Sequence, residues 1–134
     1  MSQFALGKKS LTRLAGVHPH LVQVVKRAIE ITEFDFGVFE GVRTLARQKE
    51  LVAAGKSKTL NSRHLSGHAV DLYPTGNPIP WERCVAVKAA MFAAAAEQHV
   101  PLRWGGDWDM DGDSKDEKFY DGPHFELLRE VYPA

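Results

Sequence analysis

At 134 residues, 44% hydrophobic and 25% charged, the chain has the length and composition of one soluble globular domain with a sizeable core. Lys plus Arg and Asp plus Glu each number 17, so formal charge cancels, which argues against an electrostatic nucleic-acid binder, since such domains carry a basic excess. A single cysteine, Cys84, excludes an internal disulfide framework and a cysteine-rich zinc site.

Met1 to Ser10 holds no apolar run before Lys8 and Lys9, so it is not a secretory signal. The longest apolar segment, Ala89 to Ala96, is too short to span a bilayer. The expectation is a protein made in the cytoplasm, which something else must release if it works outside. Ser10 is placed to cap a short helix running to Gly16. Pro19 suits the first position of the next helix, in which Leu21, Val22, Val25, Ala28 and Ile29 fall at helical spacing. Phe34 to Val42, rich in Phe and Val, reads as a strand. Thr44 caps a helix from Leu45 to Ala54, and Gly55 ends it.

Lys56 to Ser62 reads as a polar loop, and Gly67 to Tyr73 as a buried strand. Pro74 to Pro80 is a turn-rich connection. The alanine-rich stretch from Trp81 to His99 is the longest helix, stopped by Pro101. Leu102 to Trp104 is a short strand, Gly105 to Asp121 an acidic loop, and His124 to Leu128 a last strand. No repeat, low-complexity tract or linker divides the chain, so 1–134 reads as a single domain. Helices come mostly first, then strands interrupted by one long helix, which predicts an α+β fold with a small antiparallel sheet.

Ser62 to Asp71 concentrates the chemistry, with two imidazoles and a carboxylate within ten residues. Zinc takes His nitrogen and Asp oxygen, and a catalytic site uses three protein ligands and keeps one position open for water. If the chain turns at Ser66-Gly67 into a strand, Asp71 points from that strand on the side of the small Ala69, while Val70 and Leu72 face the core. His64 and Asp71 then make a candidate ligand pair; the alternative is a loop histidine and a sheet-end acid. A rival pair, His64 and His68, has the spacing of helical zinc sites, but Ser66 and Gly67 disfavour a helix there, and no Glu follows His64. That leaves His68 supporting the site, facing substrate or simply exposed.

Near the C-terminus, Asp121-Gly122-Pro123-His124 offers another imidazole with an acid three residues before it. An acid beside a zinc ligand, but not bound to the ion, is the usual general base in zinc hydrolysis. Taken alone, the segment is better read as an Asp-Gly turn followed by an ordinary strand histidine. Arg43, at a strand–helix junction, polarises a scissile carbonyl, holds a substrate carboxylate bidentately or sits in a surface salt bridge. Asp107, Asp109, Asp111, Gly112 and Asp113 match the first half of a calcium loop. Lys118 stands where that loop expects a bidentate Glu, so a solvated acidic loop fits as well. Trp104, Trp108 and Phe119 line a groove or belong to the core. Cys84 reads as a packed small residue rather than a nucleophile.

The pattern Ser62-x-His64-x-x-Gly67-x-Ala69-x-Asp71 resembles the signature of the D-Ala-D-Ala carboxypeptidase and L-alanyl-D-glutamate peptidase family, and most nearly its phage endolysins. Ser10 to Pro19, Gly41-Val42-Arg43-Thr44, Trp104-Gly105-Gly106-Asp107-Trp108 and Asp121 to Glu126 resemble other segments of that family in the same order. The resemblance implies the small α+β zinc peptidase fold shared with the Hedgehog signalling domain. It implies His64, Asp71 and His124 as zinc ligands, Asp121 as catalytic base and Arg43 as the residue that binds and polarises substrate. Ser62, His68, Trp104 and Asp107 are candidate substrate contacts, and Asp109, Asp111 and Asp113 candidate ligands for a regulatory calcium ion.

The function implied is that of a zinc-dependent endolysin that hydrolyses the L-Ala–D-Glu bond of the peptidoglycan stem peptide and lyses the host cell. Such an enzyme, expected to be monomeric and without a separate wall-binding domain, reaches peptidoglycan in the periplasm after membrane permeabilisation. The runner-up is a D,D-carboxypeptidase or D-Ala-D-Ala dipeptidase with the same site, told apart by where the cut falls. A non-catalytic binding protein would be expected to have lost the base or a ligand, and here all are present. A calcium sensor lacks a paired second loop.

Overall fold

The computed structural model describes residues 4–55, 62–105 and 122–133. Among these residues, four α-helices, α1 (Lys8–Arg13), α2 (Pro19–Ile31), α3 (Leu45–Ala53) and α4 (Cys84–Gln98), accompany four strands, β1 (Phe36–Glu40), β2 (Ala69–Pro74), β3 (Leu102–Trp104) and β4 (His124–Leu127). The strands form one antiparallel sheet in the order β1-β2-β4-β3. This is the expected α+β architecture.

The core lies between one face of the sheet and the helices. Pro19 opens α2, and the His18 side chain caps it by accepting from His20 N. Leu21, Val24, Val25, Ala28 and Ile29 are its buried residues, whereas Val22 packs at the rim of the core. Helix α4 packs on α2 and buries Val87, Ala90, Met91, Ala94 and Ala95. From the sheet come Phe36, Val38, Val70, Leu72, Phe125 and Leu127. Period-two alternation sends their neighbours to the opposite face. Register there pairs Asp71 with His124, Ala69 with Glu126 and Glu40 with Asp71.

Several local expectations are corrected. Ser10 does not cap α1, whose N-cap is Gly7; it lies buried inside that helix, and its hydroxyl accepts from Val38 N at 2.9 Å. Helix α1 thereby satisfies an outward amide of the edge strand β1. The helix expected from Trp81 begins as a 3-10 turn, Trp81–Arg83, and becomes α-helical only at Cys84. The 3-10 turn Arg63–Ser66 stands where a loop entered the second strand, and Ser62 caps it by accepting from His64 N. Gly67 follows at φ 78°, where a Cβ would meet Gly16 O at 2.6 Å, and its carbonyl accepts from His18 N at 2.8 Å. Only glycine fits that combination of left-handed backbone and close approach.

A candidate metal centre

Three segments converge on the sheet face opposite the core. The 3-10 turn carries His64, β2 carries Asp71 and β4 carries His124. Their potential ligand atoms all lie within 4.8 Å of one another. Asp71 Oδ1 is 3.2 Å from His64 Nε2 and 3.3 Å from His124 Nδ1. Tetrahedral zinc with bonds near 2.1 Å places its ligand atoms about 3.4 Å apart, so the spacing fits such an ion.

The far side of each ring decides which nitrogen carries the proton. His64 Nδ1 lies 2.8 Å from Gly41 O, which only accepts, so Nδ1 holds the hydrogen and Nε2 keeps its lone pair toward the cluster. His124 Nε2 lies 2.9 Å from Glu126 Oε1, which likewise keeps the proton there and leaves Nδ1 bare. Both histidines are buried. Two imidazoles and a carboxylate, each braced from behind, form a donor set suited to zinc.

Arg43 supplies positive charge beside Asp71. Its guanidinium meets Glu40 through two contacts, at 2.7 and 2.8 Å, and Gln48 Oε1 at 2.6 Å. The outer oxygen of Asp71 and the hydroxyl of Ser62 each lie 3.5 Å from it. Thus Arg43 is buried beside the cluster, its donors engaged by neighbours of this chain, and Ser62 lies against it. The Arg43 backbone N–H also donates to His64 O at 3.0 Å, which ties the β1–α3 junction to the 3-10 turn.

The remaining candidates fall elsewhere. His68 turns away from the cluster, Nδ1 against Ser66 Oγ at 2.7 Å, its ring beside His18. Trp104 is buried on the helix-facing side of the sheet, its indole N–H donating to Gly122 O at 2.7 Å. Asp121, Asp107, Asp109, Asp111 and Asp113 lie outside the described residues.

Four supporting side chains receive no role from the motifs. Glu126 braces His124 and is itself backed by Arg63, whose Nε is 3.9 Å from Glu126 Oε2. Burial opposes Glu126's ionisation, and the His124 contact prevails to hold its carboxyl below the usual range. Glu40 and the fully buried Gln48 hold Arg43. Strand alternation is the signal for Glu126, two residues beyond His124 on one face. Gln48 carries no such signal, being one polar residue of a helix.

A sheet covered by helices on one face, with a histidine–aspartate cluster on the other, makes this chain a small α+β protein with a candidate metal centre. It superposes on the crystal structure of the Serratia marcescens L-Ala D-Glu endopeptidase ChiX with TM-score 0.83 and 38% identity, covering 98% of this chain and 96% of that one. The chain belongs to the phage L-alanyl-D-glutamate peptidase family, whose profile matches residues 1–128. It is 39% identical to the L-alanyl-D-glutamate peptidase of Escherichia phage T5, over 93% of this chain and 98% of the relative. Against the Listeria phage A118 enzyme of the same name, identity is 32% over 71% of this chain, spanning 31% of that longer protein. Among the described residues, no helix is long and apolar enough to cross a membrane.

Proposed function

We propose that the chain is a zinc-dependent endolysin, a single catalytic domain that hydrolyses the L-Ala–D-Glu bond of peptidoglycan stem peptides. The observation that carries this reading is the His64–Asp71–His124 cluster, with both imidazoles tautomerically fixed so that their lone pairs converge. The related enzymes supply the bond.

When bound, zinc supplies a Lewis acid that polarises a carbonyl and lowers the pKa of an attacking water toward about 7. His64, Asp71 and His124 hold the ion. Asp121, joined to His124 through Gly122 and Pro123, takes the proton of the attacking water and returns it to the leaving amine. Arg43 places positive charge beside the developing oxyanion and fixes the outer oxygen of Asp71. Calcium binding by Asp109, Asp111 and Asp113 is the regulatory part of the proposal. The protein works as a monomer on periplasmic peptidoglycan, reached after the inner membrane is permeabilised.

Mass spectrometry of products from purified Gram-negative peptidoglycan tests this, using native enzyme, chelator-stripped enzyme and enzyme refilled with zinc. New N-terminal D-Glu, lost on stripping and restored by zinc, is expected. Release of D-Ala instead would move the cut to the carboxypeptidase end of the stem. Asp121→Ala should keep zinc and lose about 10²–10⁴-fold in rate.

A further inference from the structure

Along the cluster-bearing face of the sheet, next to Asp71, runs a line of aromatic rings. Tyr73 follows Asp71 by two residues on β2 and shares its face. Phe39 stacks on Tyr73, ring centroids 4.2 Å apart at 8°, and Trp81 meets Tyr73 edge-on at 5.2 Å. Phe39 is 53% exposed and Trp81 52%. A bulge creates this arrangement. Val38 pairs with Leu72 on the core side and Glu40 with Asp71 on the open side, leaving Phe39 as the extra residue between them. Bulges commonly re-aim side chains next to active sites. Here Glu40 turns to Arg43, and Phe39 lies over Tyr73. The Arg13 guanidinium lies 5.5 Å from the Phe39 ring centroid, bringing hydrogen-bond donors to the edge of the stack.

We propose that Phe39, Tyr73 and Trp81 form a sugar subsite that holds the glycan strand from which the cleaved peptide hangs. This rests on the endopeptidase reading above. In peptidoglycan the L-Ala amino group is joined by an amide to the lactyl arm of muramic acid. The first sugar ring therefore stands one residue and one lactyl unit from the scissile carbonyl, on the order of 7 Å of extended chain. Asp71 and Tyr73, two residues apart in a strand, are separated by about 6.8 Å. A substrate whose scissile carbonyl meets the cluster and whose N-terminal side runs along β2 toward Tyr73 brings its first sugar to the aromatic line. The electron-rich faces of the rings attract the C–H groups of a pyranose face, and the arginine donors suit its hydroxyl and acetyl oxygens. Two half-exposed large rings beside a catalytic cluster are the kind of apolar surface that marks a ligand site.

The test compares two substrates of one stem sequence: one carrying the N-acetylglucosaminyl-N-acetylmuramic acid disaccharide on L-Ala, the other an acetyl group there. Trp81→Ala and Phe39→Ala should each lower the sugar-linked to sugar-free ratio of kcat/KM by about five- to tenfold, through KM, the size of one lost ring contact. Trp81→Phe should restore most of the ratio, and melting curves check that the variants fold. An unchanged ratio overturns the subsite, including the case in which the rings prove to hold a dimer that Trp81→Ala disperses. If the wild type cuts neither substrate, the endopeptidase reading fails instead. Calorimetric titration with the peptide-free disaccharide then judges the subsite: binding that Trp81→Ala abolishes supports it, and no binding to the wild type overturns it.

Discussion

Glu126 Oε1 lies 2.9 Å from His124 Nε2, on the side of the ring away from Asp71. The carboxylate fixes the tautomer that leaves Nδ1 bare, and Arg63 stands behind it as a buried counter-charge. Glu126→Ala should weaken zinc affinity about 10–100-fold in a chelator competition, the usual effect of removing a group that orients a metal-binding histidine. It should also destabilise the fold by about 3 kcal/mol in urea, because Arg63 is left buried without its partner. Glu126→Gln retains an acceptor for the ring N–H and should recover most of the zinc affinity. Equal zinc affinity in the wild type and Glu126→Ala would remove Glu126 from the site.

Gly67 joins the 3-10 turn bearing His64 to the strand bearing Asp71. Its left-handed backbone and its approach to Gly16 O both exclude a side chain. Gly67→Ala should cost about 2 kcal/mol or more in denaturant unfolding. Zinc affinity should fall as well, since the turn sets the spacing of two cluster members. Stability within a few tenths of a kcal/mol of the wild type would contradict the account of this turn.

A pH effect should arise away from the cluster. Burial, with the neighbouring charge of His20, pushes the His18 pKa down. His68 is pushed down by burial, then by Arg63 and His18, against a smaller upward pull from Ser66. Tyr132 packs on His18 and His20 from the C-terminal segment. A histidine with a depressed folded pKa binds its proton less readily folded than unfolded. The stability it allows is fully present above the unfolded value, near 6.5, and is lost as pH falls through that value toward the folded one. Melting temperature should drop on acidification from about pH 7.5 to about pH 5.5. His18→Asn, which keeps a capping side chain on α2, combined with His68→Gln should flatten the drop. Parallel curves for wild type and double variant would refute this assignment.

Much of the fold is legible locally because its signals are local. Pro19 and Thr44 mark helix starts, and the alternation through Ala69, Val70, Asp71 and Leu72 already separates the core face of β2 from its open face. What stays hidden depends on partners distant in sequence. Ser10 looks like a cap because a serine before a helical run usually is one; its hydroxyl instead serves Val38, 28 residues away. Trp104 falls in a motif beside an acidic loop, yet strand alternation on β3 turns it to the core with Leu102. Arg43 shows its position at a strand–helix junction but not its engagement with Glu40 and Gln48, which depends on how α3 folds back. Spacing alone leaves His64 open to pairing with Asp71 or His68. The glycine turn decides the geometry by sending His68 toward His18.

If His64, Asp71 and His124 together hold one zinc ion, each of the three is required for stoichiometric binding. Native mass spectrometry of zinc-loaded protein tests this most directly, comparing the wild type with His64→Ala, Asp71→Ala and His124→Ala, each checked for folding by circular dichroism. One ion per wild-type chain and none retained at stoichiometry in any folded variant is the predicted result. Stoichiometric zinc surviving in any of the three would contradict the account and move the ion to a different set of ligands.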